Sequence, residues 1–373
     1  MDKTRKSRAR IIKRLLQLLL LALLIFLVAY PLPMEPVAWQ PPQAPTLENG
    51  PYAENTRLKD LHRIGAPNLS GPEALVFDGE QHLVTGLLDG RVVRTGILDG
   101  SVQDIGHTGG RPLGLDWHPD GRLIIADGKR GLLAMARDGT VETLTTQGND
   151  LPMKFTDDVA VDRAGRHAYF SDASSRWGYG QDGEAVLEHG GDGRLLRYDF
   201  KSKTTEVLLE GLQFANGVTL GPDEAYVLVA ETGAYRITRY WLAGKRAGTT
   251  DVFIDNLPGL PDNIRFNGRD RVWVALFTPR NPLLDRLAGW PWLRKVAARA
   301  MLIFPKPIDH HAMALGIDLD GHVVANLQDG SGGNYSPVTT IAERGEWLYL
   351  GSLKQTQLAR LPLSKAALAT PSP

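Results

Sequence analysis

From about residue 55 onward, apolar and polar positions alternate in short runs separated by Asp-Gly or Gly-Arg turns: "DGRVVRTGILDG" at 89–100, "PDGRLIIADG" at 119–128, "GDGRLLRYDF" at 191–200 and "LDGHVVANLQDG" at 319–330. A period of two interrupted by turns of this chemistry predicts antiparallel hairpins. The hairpins recur at a longer spacing. Six units open on a strand preceded by polar or special residues, "GPEALVF" at 71, "RPLGLDW" at 111, "FTDDVAV" at 155, "FANGVTL" at 214, "LPDNIRF" at 260 and "SPVTTIA" at 336, and a second strand follows each directly. The last unit supplies only three strands, while "NTRLKDLHRIG" at 55–65 is a strand without a neighbour at the other end. Together they complete one sheet. The pattern predicts an all-β fold, a six-bladed β-propeller closed by an N-terminal strand, which removes the sheet edges an open array would expose.

Two insertions, 174–191 and 278–311, interrupt the rhythm after the second strand of a blade. Second strands run antiparallel to first strands, so both insertions emerge on the face where the first strands begin. In the longer one Leu283, Leu284, Leu287, Trp290, Trp292, Leu293, Val296 and Met301 recur at loosely helical spacing, with Arg286, Arg294, Lys295 and Arg299 between them. That predicts one or two amphipathic helices forming a helical lid whose apolar stripe packs on the propeller. A second reading is a membrane-touching helix that collects apolar substrate.

The first fifty residues follow another pattern. "LLQLLLLALLIFLVAYPLPM", Leu15 to Met34, has no charge and one polar residue, enough at about 1.5 Å per residue to cross the roughly 30 Å of a bilayer core. The expected organisation is a basic cytoplasmic tail (1–14), a transmembrane signal anchor (15–34), a Pro-rich linker (35–53) acting as a stiff spacer, the propeller (54–365) and a C-terminal tail (366–373). Charge reinforces this division: the sequence is neutral overall, but residues 1–14 hold +6 and the remainder −6. Basic residues ahead of the span keep the N-terminus cytoplasmic and put the propeller outside the cytoplasm, in a periplasmic, luminal or extracellular space. An acidic body without a Lys/Arg stripe argues against a nucleic-acid partner. The absence of cysteine excludes disulfides and thiolate metal sites.

Candidate chemistry lies where the inner strands start. In a propeller these strands line the central channel, so Glu73, Asp157, Asp158, Asn216, Asp262 and Asn263 converge at one mouth of it. Taken singly, Asp or Asn at a strand start is a turn residue, but these share one phase of the repeat. Hard oxygen donors from several blades suit Ca²⁺ rather than Zn²⁺. Without a cation, the packed carboxylates repel and their pKa values rise. His311, at the end of the longer insertion, is a secondary candidate for facing the pocket. No Ser/His/Asp set stands at an informative spacing.

The segments "GPEALVFD", "FTDDVAVDRAGRHAYFSDASSRW", "FANGVTLGPDEAYVLVAETGAYRITRYWL", "NLPGLPDNIRFN" and "WLYLGSL" resemble the strictosidine synthase-like branch of the calcium-dependent phosphotriesterase superfamily. Related branches are the SMP-30/gluconolactonases and paraoxonases. Its membrane-anchored, adipocyte plasma membrane-associated type shares the layout of an anchor ahead of a propeller. The resemblance covers residues 55–361 and implies a Ca²⁺ held by Glu73, Asp157, Asn216 and Asp262, with Asp157 where the family has Asn. It makes Asp262 the base or nucleophile, with Asn263 beside it. Two positions depart from the pattern. Thr339 stands about where strictosidine synthase has its catalytic Glu, and the segment starting at Arg111 stands where paraoxonases have a His; Asp158 and Arg111 are secondary candidates. The expected function is a Ca²⁺-dependent hydrolase of small, apolar lactones or aryl esters. The alternatives are a strictosidine synthase-like lyase joining an amine to an aldehyde, and a non-catalytic, metal-stabilised binding propeller.

Overall fold

A computed structural model describes residues 2–304, 310–332 and 335–366; the expected C-terminal tail after Ala366 and residues 305–309 of the longer insertion lie outside the described residues. Six four-stranded antiparallel sheets follow one another along the chain. Their innermost strands are Val76–Asp78, Pro112–Trp117, Thr156–Val161, Ala215–Leu220, Gly259–Phe266 and Thr340–Arg344. The sixth blade takes three strands from the C-terminal end and its outermost one, His62–Ile64, from the N-terminal end, with His62 opposite Arg360 and Ile64 opposite Leu358. The six-bladed propeller and its closing strand are as the alternation predicts.

Apolar side chains fill the wedges between neighbouring blades. Ile124, Val159 and Phe170 pack between blades 2 and 3, Leu228, Ile264 and Val274 between 4 and 5, and Trp273, Ile341 and Leu350 between 5 and 6. A belt of polar contacts around the channel joins each blade to the next. Arg111 reaches Glu73 and Gly71 O; Asp116 accepts from Val161 N–H; Asp158 accepts from Val218 N–H. Thr219 accepts from Phe266 N–H, Asn263 donates to Thr339 O and Thr339 donates to Glu73 O.

Among the described residues, four α-helices lie outside the blades: α1 (Asp2–Ala29), α2 (Asp182–Glu188), α3 (Pro282–Leu287) and α4 (Pro291–Ile303). The basic segment expected as a tail forms the first turns of α1, because Lys and Arg are good helix formers. Its stretch Arg10–Ala29 is long and apolar enough to cross a membrane. The helix ends at Ala29, short of the expected Met34, since Pro31 and Pro33 cannot continue it.

The linker is not a free spacer. Residues 30–43 run as a strap under the lid, held by main-chain bonds from Val37 to Glu188 and Trp39 to Ala288 and by Arg176, Arg294 and Arg280 donating to the carbonyls of Pro33, Val37 and Pro42. Met34 is 1% exposed. Proline stiffness is a local property; the docking comes from arginines in the two insertions, far along the chain.

The lid helices keep part of the expected apolar packing, with Leu284 and Ala298 against Met34, Phe155 and Trp177, but two arginines are buried as well. Arg294 and Arg299 face inward, at 4% and 8% exposure, and bind strap and helix carbonyls. Trp290 and Trp292 face outward. The strap already fills the apolar gap under the lid, and its carbonyls need donors more than they need further apolar cover.

Candidate functional site

In each of blades 2 to 5 the inner strand breaks register with its neighbour near its start: between Pro112 and Gly114, Thr156 and Val159, Ala215 and Val218, and Pro261 and Ile264. The residues inside the last three breaks are Asp157–Asp158, Asn216–Gly217 and Asp262–Asn263. Such bulges redirect consecutive side chains that a regular strand would send to opposite faces. They need close backbone approach. A Cβ on Gly217 would lie 2.5 Å from Asp262 O, and one on Gly114 would lie 2.4 Å from the Asp158 Cα. The glycines thus let neighbouring inner strands come together at the channel mouth.

Glu73, Asp157, Asn216, Asp262 and Asn263 are all buried. Burial, followed by the charges of Glu73 and Asp262, holds Asp157 well above the usual carboxylate range. Asp262 is raised in the same way, by burial first and Glu73 next. The amide of Asn216 opposes the rise in the Asp262 pKa without cancelling it. Glu73 is raised by burial despite the guanidinium of Arg111 beside it. Four buried oxygens at this mouth, Oδ1 of Asp157, Asn216, Asp262 and Asn263, have no hydrogen-bond donor. Orphaned acceptors of this kind are costly unless a donor, a proton or a cation meets them. Their chemistry fits a hard cation such as Ca²⁺.

Other expected residues are engaged elsewhere. Glu73 is drawn to Arg111, whose Nη2 lies 2.7 Å from its Oε2, and among the described residues no three acidic or imidazole groups close into a ready-made metal cage. Asp158 forms a two-pronged ion pair with Arg265 at 2.6 and 2.9 Å, which uses both its oxygens to lock blades 3 and 5 together. His311 bonds Gln328 Oε1 at 2.8 Å on the outermost strand of blade 5. Thr339 belongs to the inter-blade belt.

Above the carboxylates lies an apolar wall that sequence alternation alone does not reveal. Leu113, Phe155 and Phe214 each precede or sit within an inner-strand start, and they pack with Met34, Trp177 and Leu187. Phe155 meets Phe214 edge-on at 5.3 Å. The one sequence signal was a large apolar residue just ahead of each polar pair. Tyr179 adds its ring to Phe155 at 5.5 Å. Further out, His189 stacks on Trp39 at 4.0 Å; burial and then the charge of Arg294 push its pKa down to about 3, so the stacked ring is neutral. At the opposite mouth the channel widens into a cavity of about 340 Å³ that includes Asp116, Arg265 and Glu343.

Comparison with known proteins adds a family to this geometry. Residues 157–245 match the strictosidine synthase family model and residues 50–95 the N-terminal model of strictosidine synthase-like proteins. The adipocyte plasma membrane-associated protein of Salmo salar is 35% identical over 86% of this chain and 82% of its own length. Strictosidine synthase-like protein 7 of Arabidopsis thaliana is 35% identical over 84% of this chain and 85% of its own. Among solved structures, a gluconolactonase from Xanthomonas campestris superposes with a TM-score of 0.58 at 18% identity, over 90% of this chain and 99% of that one. The calcium-binding protein regucalcin from Agrobacterium tumefaciens gives 0.56 at 15%, over 79% and 90%. Those two show the fold alone. With a propeller whose inner-strand bulges gather amide and carboxylate oxygens, and with the two named relatives matching it along most of its length, the chain belongs to the strictosidine synthase-like family, alongside the adipocyte plasma membrane-associated proteins.

Proposed function

We propose that this protein is a membrane-anchored, Ca²⁺-dependent hydrolase of apolar lactones or aryl esters, with its N-terminus cytoplasmic and its propeller outside the cytoplasm. The observation that carries this reading is the set of four buried oxygens without donors, on Asp157, Asn216, Asp262 and Asn263. Asp157, Asn216 and Asp262 would hold the ion, with Glu73 joining them once released from Arg111. When bound, the cation polarises an ester carbonyl and stabilises its developing negative charge.

The chain's own groups do the rest. Asp262 takes the proton of an attacking water or attacks the carbonyl itself. Leu113, Phe155 and Phe214 offer an apolar surface to the acyl or ring part of the substrate and limit water. The gluconolactonase named above supports the reaction class by analogy of fold.

One observation favours the non-catalytic, metal-stabilised propeller: the strap buries Met34 in the wall above the site. No contact among the described residues favours the lyase, because Thr339 is committed to the belt. The test uses full-length protein in detergent. Its calcium content is measured, followed by hydrolysis of phenyl acetate and a lactone series with and without chelator. Hydrolysis is expected to stop on chelation, and Asp262→Asn is expected to lower kcat/KM by about 10²-fold or more with little loss of Tm. Calcium uptake that raises Tm while no ester or lactone turns over sinks the hydrolase and leaves the binding propeller.

A further inference from the structure

Among the described residues of the propeller and its insertions, exposed apolar side chains accumulate on the outer side of the lid. Leu88, Leu98, Leu151 and Val252 stand singly on other surfaces, whereas Leu283, Trp290, Trp292, Leu302, Ile303 and Phe304 belong to one short stretch of chain, Trp292 being 61% and Phe304 67% exposed. A lid helix bathed in water would bury its tryptophans and expose its arginines. Helix α4 instead buries Arg294 and Arg299 and leaves Trp292, Leu302 and Ile303 exposed, with Trp290 exposed just ahead of it. These exposed apolar side chains suit an apolar medium, and aromatic side chains are the type favoured at the boundary between lipid and water.

What covers that face follows from where α1 ends. Arg299 of α4 donates from Nε to Tyr30 O at 2.6 Å and from Nη1 to Leu27 O at 3.1 Å, satisfying carbonyls at the C-terminal end of α1 that no later turn can reach. The lid is therefore clamped to the outer end of the membrane-length helix. The chain between them is short. From Ala29, the last residue of α1, to Met34, buried beside Leu113 and Phe155, five residues span at most about 18 Å. The headgroup layer on each side of a bilayer is itself about 5–7 Å deep. The propeller cannot turn its carboxylate-bearing face far from the membrane.

We infer that the outer face of the lid, α3 and α4 with Phe304 beyond them, sits in the headgroup layer of the bilayer that α1 spans, holding the channel mouth against the lipid surface. Bound ligands then arrive along the membrane rather than from bulk water, and the covering partner is lipid. This surface does not depend on which reaction, if any, the site performs. It depends on α1 being a retained span.

The sequence has no cysteine, so single spin labels report position cleanly. Full-length Leu302→Cys, Trp292→Cys, Leu98→Cys and Leu19→Cys proteins are labelled in phosphatidylcholine–phosphatidylglycerol vesicles, and collision with oxygen is compared with collision with a water-soluble nickel chelate. Leu98 lies on the turn between the third and fourth strands of blade 1, at the face away from the lid. Labels at 292 and 302 are expected to show an oxygen-to-nickel ratio several-fold above that at 98, and the label at 19 a higher ratio still. Ratios at 292 and 302 equal to that at 98, with 19 deep in lipid, overturn the lid placement while leaving the anchor intact. A water-accessible label at 19 removes the span and the inference with it. Shielding from both reagents together with a dimeric mass would make a second copy the covering partner, which also overturns it.

Discussion

At the scale of single residues, Arg111 decides how the candidate site behaves without metal. Its guanidinium is fully buried against Glu73, a pair that spares Glu73 the cost of being an isolated buried charge and also diverts it from the carboxylates across the channel. Removing one member of such a pair is expensive, about 3–5 kcal/mol. Arg111→Met is therefore expected to lower the Tm of metal-free protein strongly, and calcium should restore more of the loss than it adds to the unaltered protein, because the freed Glu73 becomes a ligand. Equal calcium-induced rises in both proteins would remove Glu73 from the ligand set. Asp116, at the far end of the channel, makes a separate prediction. Burial raises its pKa to about 6, against the opposing pull of Val161 N–H and Arg265. The folded state then holds that proton more tightly than the unfolded chain, whose Asp titrates near 3.9. Its stabilising contribution is complete below about pH 4 and lost as pH rises through 6, a swing of about 3 kcal/mol. The Tm of Asp116→Asn, which cannot titrate there, should gain on the unaltered protein between pH 4 and 7. A constant difference across that range would mean that Asp116 is not held protonated.

Elements were legible from the sequence to the extent that their causes were local. Asp-Gly turns and period-two alternation mark the hairpins, and the polar pairs at 157–158, 216–217 and 262–263 mark the inner-strand starts. What the alternation does not encode is that each pair lies in a bulge, which separates Asp157, at the mouth, from Asp158, locked to Arg265. Two other features depend on distant partners and so were hidden. A run of prolines reads as an extended spacer until Arg176, Arg280 and Arg294 are seen to hold it. Loosely helical spacing announces the lid helices without saying that Arg294 and Arg299 will be buried by the strap and the end of α1. The bulges carry their own test at Gly217. A methyl group there would lie 2.5 Å from Asp262 O and equally close to Ile264 N, both backbone atoms that can move only by parting blades 4 and 5. Gly217→Ala is expected to cost about 1–3 kcal/mol in a denaturant titration and to weaken calcium binding, since Asn216 and Asp262 sit on the two strands forced apart. Unchanged calcium affinity in a folded variant would show that the two strands need not touch for the site to form.

For the whole molecule, stability is distributed around a ring. Each blade buries its faces only against its neighbours, and each polar link of the belt joins one blade to the next, so the ring is secured by whichever joint closes it last. That joint is blade 6, where His62–Ile64 completes a sheet whose other strands come from the opposite end of the chain. Ile64 is the apolar part of the latch, packed with Leu75, Leu83, Tyr349 and Leu358 from blades 1 and 6. Ile64→Asp puts an unpaired carboxylate into that cluster. The resulting loss should reach the upper range of single substitutions, about 3 kcal/mol or more. It should also do something that an equally costly change inside one blade would not. Releasing the strand bares the Leu358–Pro362 edge to pairing with other chains, so the variant should show both a lower denaturation midpoint and a concentration-dependent rise in mass. Val252→Asp, at an exposed position on blade 4, should show neither. If Ile64→Asp lowers the midpoint yet stays monomeric at every concentration, the blades hold their ring without the latch, and the inter-blade wedges and belt suffice to keep the channel mouth assembled.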